Sequence, residues 1–583
     1  MSGIDGSRLK DSFNPNSSAT PQQPLIAIVA ILLGIAINLV VSGYQFGLSN
    51  HSVYLIDALR KNDPGLLAND WFYTQTLQYH SAFGWMTAGL LRTGLLEPAF
   101  ALIYAMLLVV FHVSWRGIVQ RLGGGNDAYL LSVVLYFISA GGIGLGTYQF
   151  FQDSCVLASN IANVAMFAGA AAFIHGRLIL AGMCLGVSGL FHLNHAVVVP
   201  VLWLAISLYE NRLAVSRWLR PIYLTATTLA AVGCAVNVIP SAMAKLSHPG
   251  HPIPLEQFVD WYAALRHPHH YHPASWPWVI WLAFCFWIPP GLVGMSLIRT
   301  ESRDRTAAVL LSILVLQVIA LCFAGLWYVS ETLVQMSLFR FSIIVHLLLV
   351  VFAAVLMTRW KAMVWALPAC LIFAAGVLLL SPFTDIARAR AGSIIMLVAM
   401  GFAPMVVLLS RKRAWPAIAS GMLVTGLLLA GFDRITGLSR PLVKVDEDYR
   451  ALCAWVADSR NTDPAGVFLV SPVDEDFRWF AKRAIVINWK SVPQLAGELP
   501  EWHARMAAAL GWETLDALPR GSYLLAQDAM RSRYEKVDGS ALFTGARRYG
   551  AQYVVAVRSL GSEFEPYRVG PAFGRYLLYK VSR

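Results

Sequence analysis

Residues Tyr44 to His80 read YQFGLSNHSVYLIDALRKNDPGLLANDWFYTQTLQYH, and this stretch decides how the rest of the chain is understood. It is polar, holding Asp57, Asp63 and Asp70 together with His51 and His80, and it interrupts a long series of apolar runs. A connection of this length between apolar segments is either functional or disordered. Leu66, Leu67, Trp71, Phe72 and Tyr73 are packing residues, which argues against disorder. The stretch therefore predicts a folded cap that holds acidic side chains against one membrane face.

Composition sets the frame. The chain has 583 residues, 57% hydrophobic and 13% charged, with a mean hydropathy of +0.57. Soluble domains carry about 25% charge, so the chain reads as a helical polytopic membrane protein. Its net charge of +12 is no nucleic-acid signal, because most basic residues of the membrane half lie in short loops and act as topology anchors. Of the seven cysteines only Cys453 lies in the polar C-terminal part, and no Cys/His ligand spacing predicts a zinc site.

Apolar runs predict about thirteen spans, near 24–44, 98–116, 128–148, 155–174, 177–191, 195–209, 219–240, 276–298, 306–327, 340–357, 361–380, 391–410 and 415–432. Residues 1–23 are a polar tail, expected to be disordered and cytoplasmic. With that end inside, inner segments hold sixteen Lys and Arg and outer segments eight, which follows the positive-inside rule. The segment 177–210 is read as two short helices, because a single span would invert every later loop. This puts the turn Phe191-His192-Leu193-Asn194-His195 on the face of the first outer loop, residues 45–97. Within that loop Phe83–Leu95 is short for a span and suits the interface. Further outer segments are the edge Tyr148–Asp153, the stretch Ser241–Ser275 with Glu256 and Asp260, and Trp327–Arg340. The inner loops are short, and no phosphate-binding glycine loop occurs.

After the last run, residues 433–583 hold 21 Lys and Arg and 18 Asp and Glu, a soluble balance. Strand-like runs at 466–470, 484–488, 552–557 and 576–581 alternate with helical stretches at 446–459, 499–511 and 523–537, which predicts a small α/β domain. Phe477, Trp479, Trp489 and Trp502 offer it core or docking surface.

Asp63-Pro64-Gly65 is turn chemistry. Asp70 precedes an aromatic run, either as a helix cap or as a base or metal ligand facing a cavity. Asp70→Asn preserves shape, so it is predicted to be nearly silent for a cap and to cost on the order of a hundredfold in rate for a base. His192 and His195 suit either a satisfied turn or contact with phosphate or sugar hydroxyls. The run His267–His272 looks like a metal tract, but its prolines predict a flexible, helix-free loop. Arg340 opens an apolar run, where it either snorkels or binds a lipid phosphate.

Five phrases carry a resemblance over most of the chain: DPGLLANDWF at 63–72, GLFHLNHA at 189–196, SLFRFSIIVHLL at 337–348, AGVFLVSPVDEDFRWFAKRAIVINWKSVP at 465–493 and ARRYGAQYVVA at 546–556. With the acidic first outer loop, they resemble a poorly characterised group of bacterial polytopic membrane proteins within the type C glycosyltransferases. The resemblance implies a bacterial inner-membrane enzyme that transfers a sugar from a polyprenyl-phosphate donor to an extracytoplasmic acceptor. It implies Asp70, then Asp63, as the acidic residue of the first loop; His192, His195, Arg340, Glu256 and Asp260 are read as substrate-binding from the convergence of the outer segments that carry them. An adjacent Asp-Glu pair, present in better-known subgroups, is missing from this loop, which leaves a divalent cation open. Two other classes stay open beside this one: a lipid or polysaccharide transporter, and a non-catalytic envelope-assembly scaffold. A transporter favours ionisable residues deep in spans, and here only His112 and His346 sit there.

Overall fold

The computed structural model describes residues 24–359 and 446–581, apart from 48–49, 79, 141–144, 147–153, 212–213 and 248–252. The tail 1–23, the edge at 148–153 and the expected spans 361–380, 391–410 and 415–432 lie outside the described residues. The described part is mostly helical. Leu96–Arg121, Leu193–Asn211, Pro221–Ser247, Glu301–Leu326 and Glu331–Arg359 are five helical segments long and apolar enough to cross a membrane. Pro24–Leu39, Ala158–Ile174, Leu178–Phe191 and Ile288–Leu297 are shorter apolar helices.

The segment 177–210 forms two helices, Leu178–Phe191 and Leu193–Asn211, broken only at His192, whose φ of −143° is extended. His195 thus belongs to a helix rather than to a turn. The expected continuous segment 276–298 is instead Trp278–Cys285 followed by Ile288–Leu297. Pro289 and Pro290 begin the second helix; each removes a backbone donor and crowds the preceding turn.

Small residues set the closest helix approach. A Cβ on Gly186 would lie 2.3 Å from the Leu229 carbonyl oxygen, and one on Gly233 would lie 2.0 Å from that of Gly186. Helices Leu178–Phe191 and Pro221–Ser247 therefore touch backbone to backbone, as small-residue stripes allow. His112 is satisfied within the bundle: Nδ1 lies 2.7 Å from the Tyr129 hydroxyl and Nε2 3.3 Å from Asn38.

The stretch at 44–80 is ordered where described, and helical. His51–Asn62 is followed by the short turn of helix Trp71–Gln75 and then by Ser81–Arg92. The C-terminal domain is an α/β unit. Strands β1 (Val467–Leu469), β2 (Ala484–Ile485), β3 (Tyr553–Ala556), β4 (Arg568–Phe573) and β5 (Tyr576–Lys580) form one sheet in the order β2-β1-β3-β5-β4. The first three are parallel; β5 runs antiparallel to β3 and β4. β4 has no counterpart among the expected strands, because its Pro571 and mostly exposed side chains hide the two-residue period of a half-buried strand.

The domain rests on the loops. Ile56, Trp71, Phe72 and Tyr73 of the first loop and Phe258 and Tyr262 share one hydrophobic core with Trp489, Trp502 and Leu499. Phe477 instead lies in a separate core of the domain, against β1 and β5.

Candidate functional site

Asp70 is fully buried. It heads the helix Trp71–Gln75, where its carboxylate accepts the Tyr73 N–H at 3.4 Å. That is the cap expected from its position, but the carboxylate does more. Arg478, only 2% exposed, donates to it twice, Nε to Oδ2 at 2.7 Å and Nη2 to Oδ1 at 3.0 Å. The Ile485 N–H, on β2, donates to Oδ2 at 3.1 Å. Arg478 stacks over Tyr73 and Phe72 and gives its remaining terminal nitrogen to Ser491 at 2.6 Å. Asp70 therefore joins the first loop to the C-terminal domain through a paired, desolvated contact.

The other acidic candidates sit apart from this pair. Asp63 is exposed and closes its own turn, accepting the Gly65 N–H at 3.0 Å. Glu256 is exposed on the turn Leu255–Phe258. Asp260 faces the C-terminal domain and receives two bonds from Arg520, at 3.0 and 2.7 Å. Its carboxylate serves docking in this arrangement.

The cationic candidates come together. Arg340, in the turn Leu338–Phe341, bears electrostatically on His80, His192, His195, His267, His269 and His270. The rings of His80 and His192 are 4.9 Å apart, those of His192 and His195 5.0 Å, and those of His269 and His270 3.9 Å. The Arg340 Nε is buried and has no hydrogen-bond partner among the described residues, and the same holds for the His195 Nδ1. A buried guanidinium donor left unpaired is rare unless a ligand or water satisfies it, whereas the His195 Nδ1 is an unpaired acceptor, because Nε2 donates to the Asn163 Oδ1 at 2.9 Å. Burial first, then Arg340, pushes His80 down to about 3. Burial also holds His267, His269 and His270 well below the usual histidine range, with the neighbouring cations adding to it. His80, His267, His269 and His270 are thus neutral near pH 7 and act as hydrogen-bonding groups beside the Arg340 and Arg266 cations.

Four of these rings escaped the sequence. His80 stood at the end of the first loop without a partner in view. The run at 267–272 is not a flexible loop: Pro268–Tyr271 is a helical turn with proline at its first position, where the missing N–H costs nothing. His270 Nδ1 lies 2.7 Å from the Gly146 carbonyl and His272 Nδ1 2.9 Å from the Tyr328 hydroxyl. Among the described residues no three His, Cys, Asp or Glu side chains are grouped to hold a metal ion.

Two carboxyls of the C-terminal domain also escaped notice. Burial raises Asp474 to about 7, although it accepts the N–H groups of Asp476 and Phe477. Burial likewise raises Glu498 to about 7; its Oε1 accepts the Leu77 N–H at 3.3 Å, and its Oε2 is buried without a partner among the described residues. For Glu498 the folded state holds the proton more tightly than the unfolded chain. Its stabilising effect is full below the ordinary carboxyl range and is lost as pH rises through about 7. Glu498→Gln is therefore expected to melt higher than the parent at about pH 8 and to converge with it at about pH 4. Parallel melting at both pH values would show that the carboxyl is not desolvated at this junction.

Residues 447–509 match a family model described as a domain of unknown function (DUF6798). The matched segment contains Arg478, Asp474 and Glu498. No curated protein matches the chain.

Proposed function

We propose that the chain is a membrane glycosyltransferase of the type C kind, taking a sugar from a polyprenyl-phosphate donor and passing it to an extracytoplasmic acceptor. The observation that carries this reading is the gathering of Arg340 with six histidine rings, where the Arg340 Nε has no partner among the described residues. In such a transfer the bond from the sugar to the phosphate oxygen breaks, and charge develops on the leaving phosphate. A fixed guanidinium, with the Nε2–H of His192, whose Nδ1 accepts the Asn194 N–H, stabilises that charge without reorganising. The acceptor oxygen attacks the anomeric carbon and gives its proton to a base. In the first loop Asp70 serves as that base only if Arg478 and the backbone amides release it; Asp63 is the exposed alternative.

In this reading the chain has thirteen spans, with its N-terminus in the cytoplasm and residues 433–583 outside the inner membrane. A reporter active only in the cytoplasm, fused after Arg583, is then expected to be silent. Activity there would require an even number of spans and would turn the Arg340 cluster toward the cytoplasm. The transfer itself is tested with the purified full chain in nanodiscs, given polyprenyl-phosphate sugars and candidate acceptors. Release of free polyprenyl phosphate that depends on the acceptor supports it.

One observation favours a second reading, a non-catalytic scaffold. Both oxygens of Asp70 are tied to the C-terminal domain, which suits a rigid platform better than a working base. Failure of turnover with every donor, while phosphate-lipid binding persists, would favour the scaffold.

A further inference from the structure

We propose that the first turn of the helix Tyr523–Lys536 seats the C-terminal domain in the head-group layer of the bilayer, with Leu524 and Leu525 as the inserted side chains. This rests on the apolar helices spanning a membrane and not on the transfer reaction. Among the described residues the domain exposes two large apolar side chains, Leu524 at 53% and Leu525 at 60%, and they are adjacent. All other exposed large apolar side chains among the described residues lie between Leu25 and Val329. A lone exposed leucine needs no explanation; two together, continuous with a lipid-facing surface, do.

The continuity is geometric. The Gly521 N–H donates to the Ala264 carbonyl at 2.8 Å, and a Cβ on Gly521 would lie 3.1 Å from the Ser275 Cβ. Pro273 in turn lies against Gly325, where a Cβ would meet its Cγ at 2.8 Å. Three segments therefore meet: 521, 273–275 and 325. Each of them is followed in sequence, within four residues, by exposed large apolar side chains: Leu524 and Leu525, Trp278 at 67% exposure, and Trp327 at 65%. Trp278 opens an apolar helix and Trp327 follows the end of another. Exposed tryptophans at the ends of apolar helices mark the membrane–water boundary. The proposal puts the two leucines in that belt.

The rest of the helix fits the same placement. Ala526, Met530 and Tyr534 face the domain core. On the outward side the leucines give way to the exposed ion pair Asp528–Arg531, at 2.8 Å. The helix is apolar outward only in its first turn, so it enters the head-group layer by its end and rises out of it, unlike an interfacial helix lying flat.

The test uses the full chain in phospholipid nanodiscs with a photoreactive residue, p-benzoylphenylalanine, at Leu525, at Leu524 or, as the control, at Arg531. All three positions are exposed, so folding should tolerate them. After irradiation, lipid adducts are counted by mass spectrometry of the proteolytic peptides. Adducts at Leu524 or Leu525 several-fold above those at Arg531 are expected. Absence of lipid adducts at both leucines, equal yields at all three positions, or adducts to another protein chain would each overturn the proposal.

Discussion

Asp70→Asn destabilises the junction between the first loop and the C-terminal domain by about 3–5 kcal/mol, the range for removing one partner of a buried ion pair. Asparagine still accepts the Tyr73 N–H, so the cap survives. What it cannot do is balance Arg478, which is 2% exposed and donates two bonds to this carboxylate. The sequence alone predicts that this substitution leaves the fold intact and isolates chemistry from stability; the partner 408 positions away removes that separation. Arg478→Met should be comparably costly, because it strands the carboxylate. The double variant Asp70→Asn/Arg478→Met should recover much of the loss, since replacing both members of a buried pair is often close to neutral. Thermal melts of the four proteins in one detergent, read with hydrogen exchange at residues 70–75 and 477–485, measure the coupling. If Asp70→Asn melts like the parent while turnover collapses, Asp70 is a base and the pair is not what holds the junction.

The parts of the fold that follow from local pattern were legible. Apolar runs predicted helices across the described bundle, and the break at His192 followed from counting basic residues on each side. In the C-terminal domain the alternation of strand-like and helical runs gave the α/β architecture. Three features were hidden because they depend on contacts between distant segments. Arg478 sits in an aromatic run, FRWF, which reads as core and says nothing of a carboxylate in the first loop. Asp260 looked like a polar group near a substrate, yet it meets Arg520, 260 positions away. The run His267–His272 read as flexible because proline was counted as a helix breaker, whereas Pro268 opens a helical turn. For the candidate site, residue type was informative and register was not. His192, His195 and Arg340 do come together, but of the carboxylates expected beside them Asp70 and Asp260 are spent on holding the C-terminal domain in place, and Asp63 and Glu256 are exposed apart from it.

Arg340→Gln is expected to weaken binding of a polyprenyl phosphate about 10- to 100-fold, while binding of the uncharged polyprenol stays unchanged. A hydrogen bond to a charged group contributes about 1.5–3 kcal/mol, and each 1.4 kcal/mol is a factor of ten. The Arg340 Nε has no partner to lose among the described residues. Arg340→Lys should retain part of the affinity, keeping the charge without the planar fork. A second signature separates this cation from a merely structural one. Arg340 helps to hold His80, His267, His269 and His270 below their ordinary range, and an incoming phosphate dianion opposes it. Binding should therefore take up protons, and affinity for the phosphate lipid should rise as pH falls below the ordinary histidine range. With Arg340 neutralised the rings titrate at higher pH, so in Arg340→Gln this rise should begin nearer neutrality even though the affinity is lower throughout. Titration of phosphorylated and unphosphorylated lipid into nanodiscs across a pH series reads both effects. Equal affinity for the two lipids in the parent protein, or a pH profile that Arg340→Gln leaves unmoved, would show that the histidines and Arg340 do not form a phosphate site.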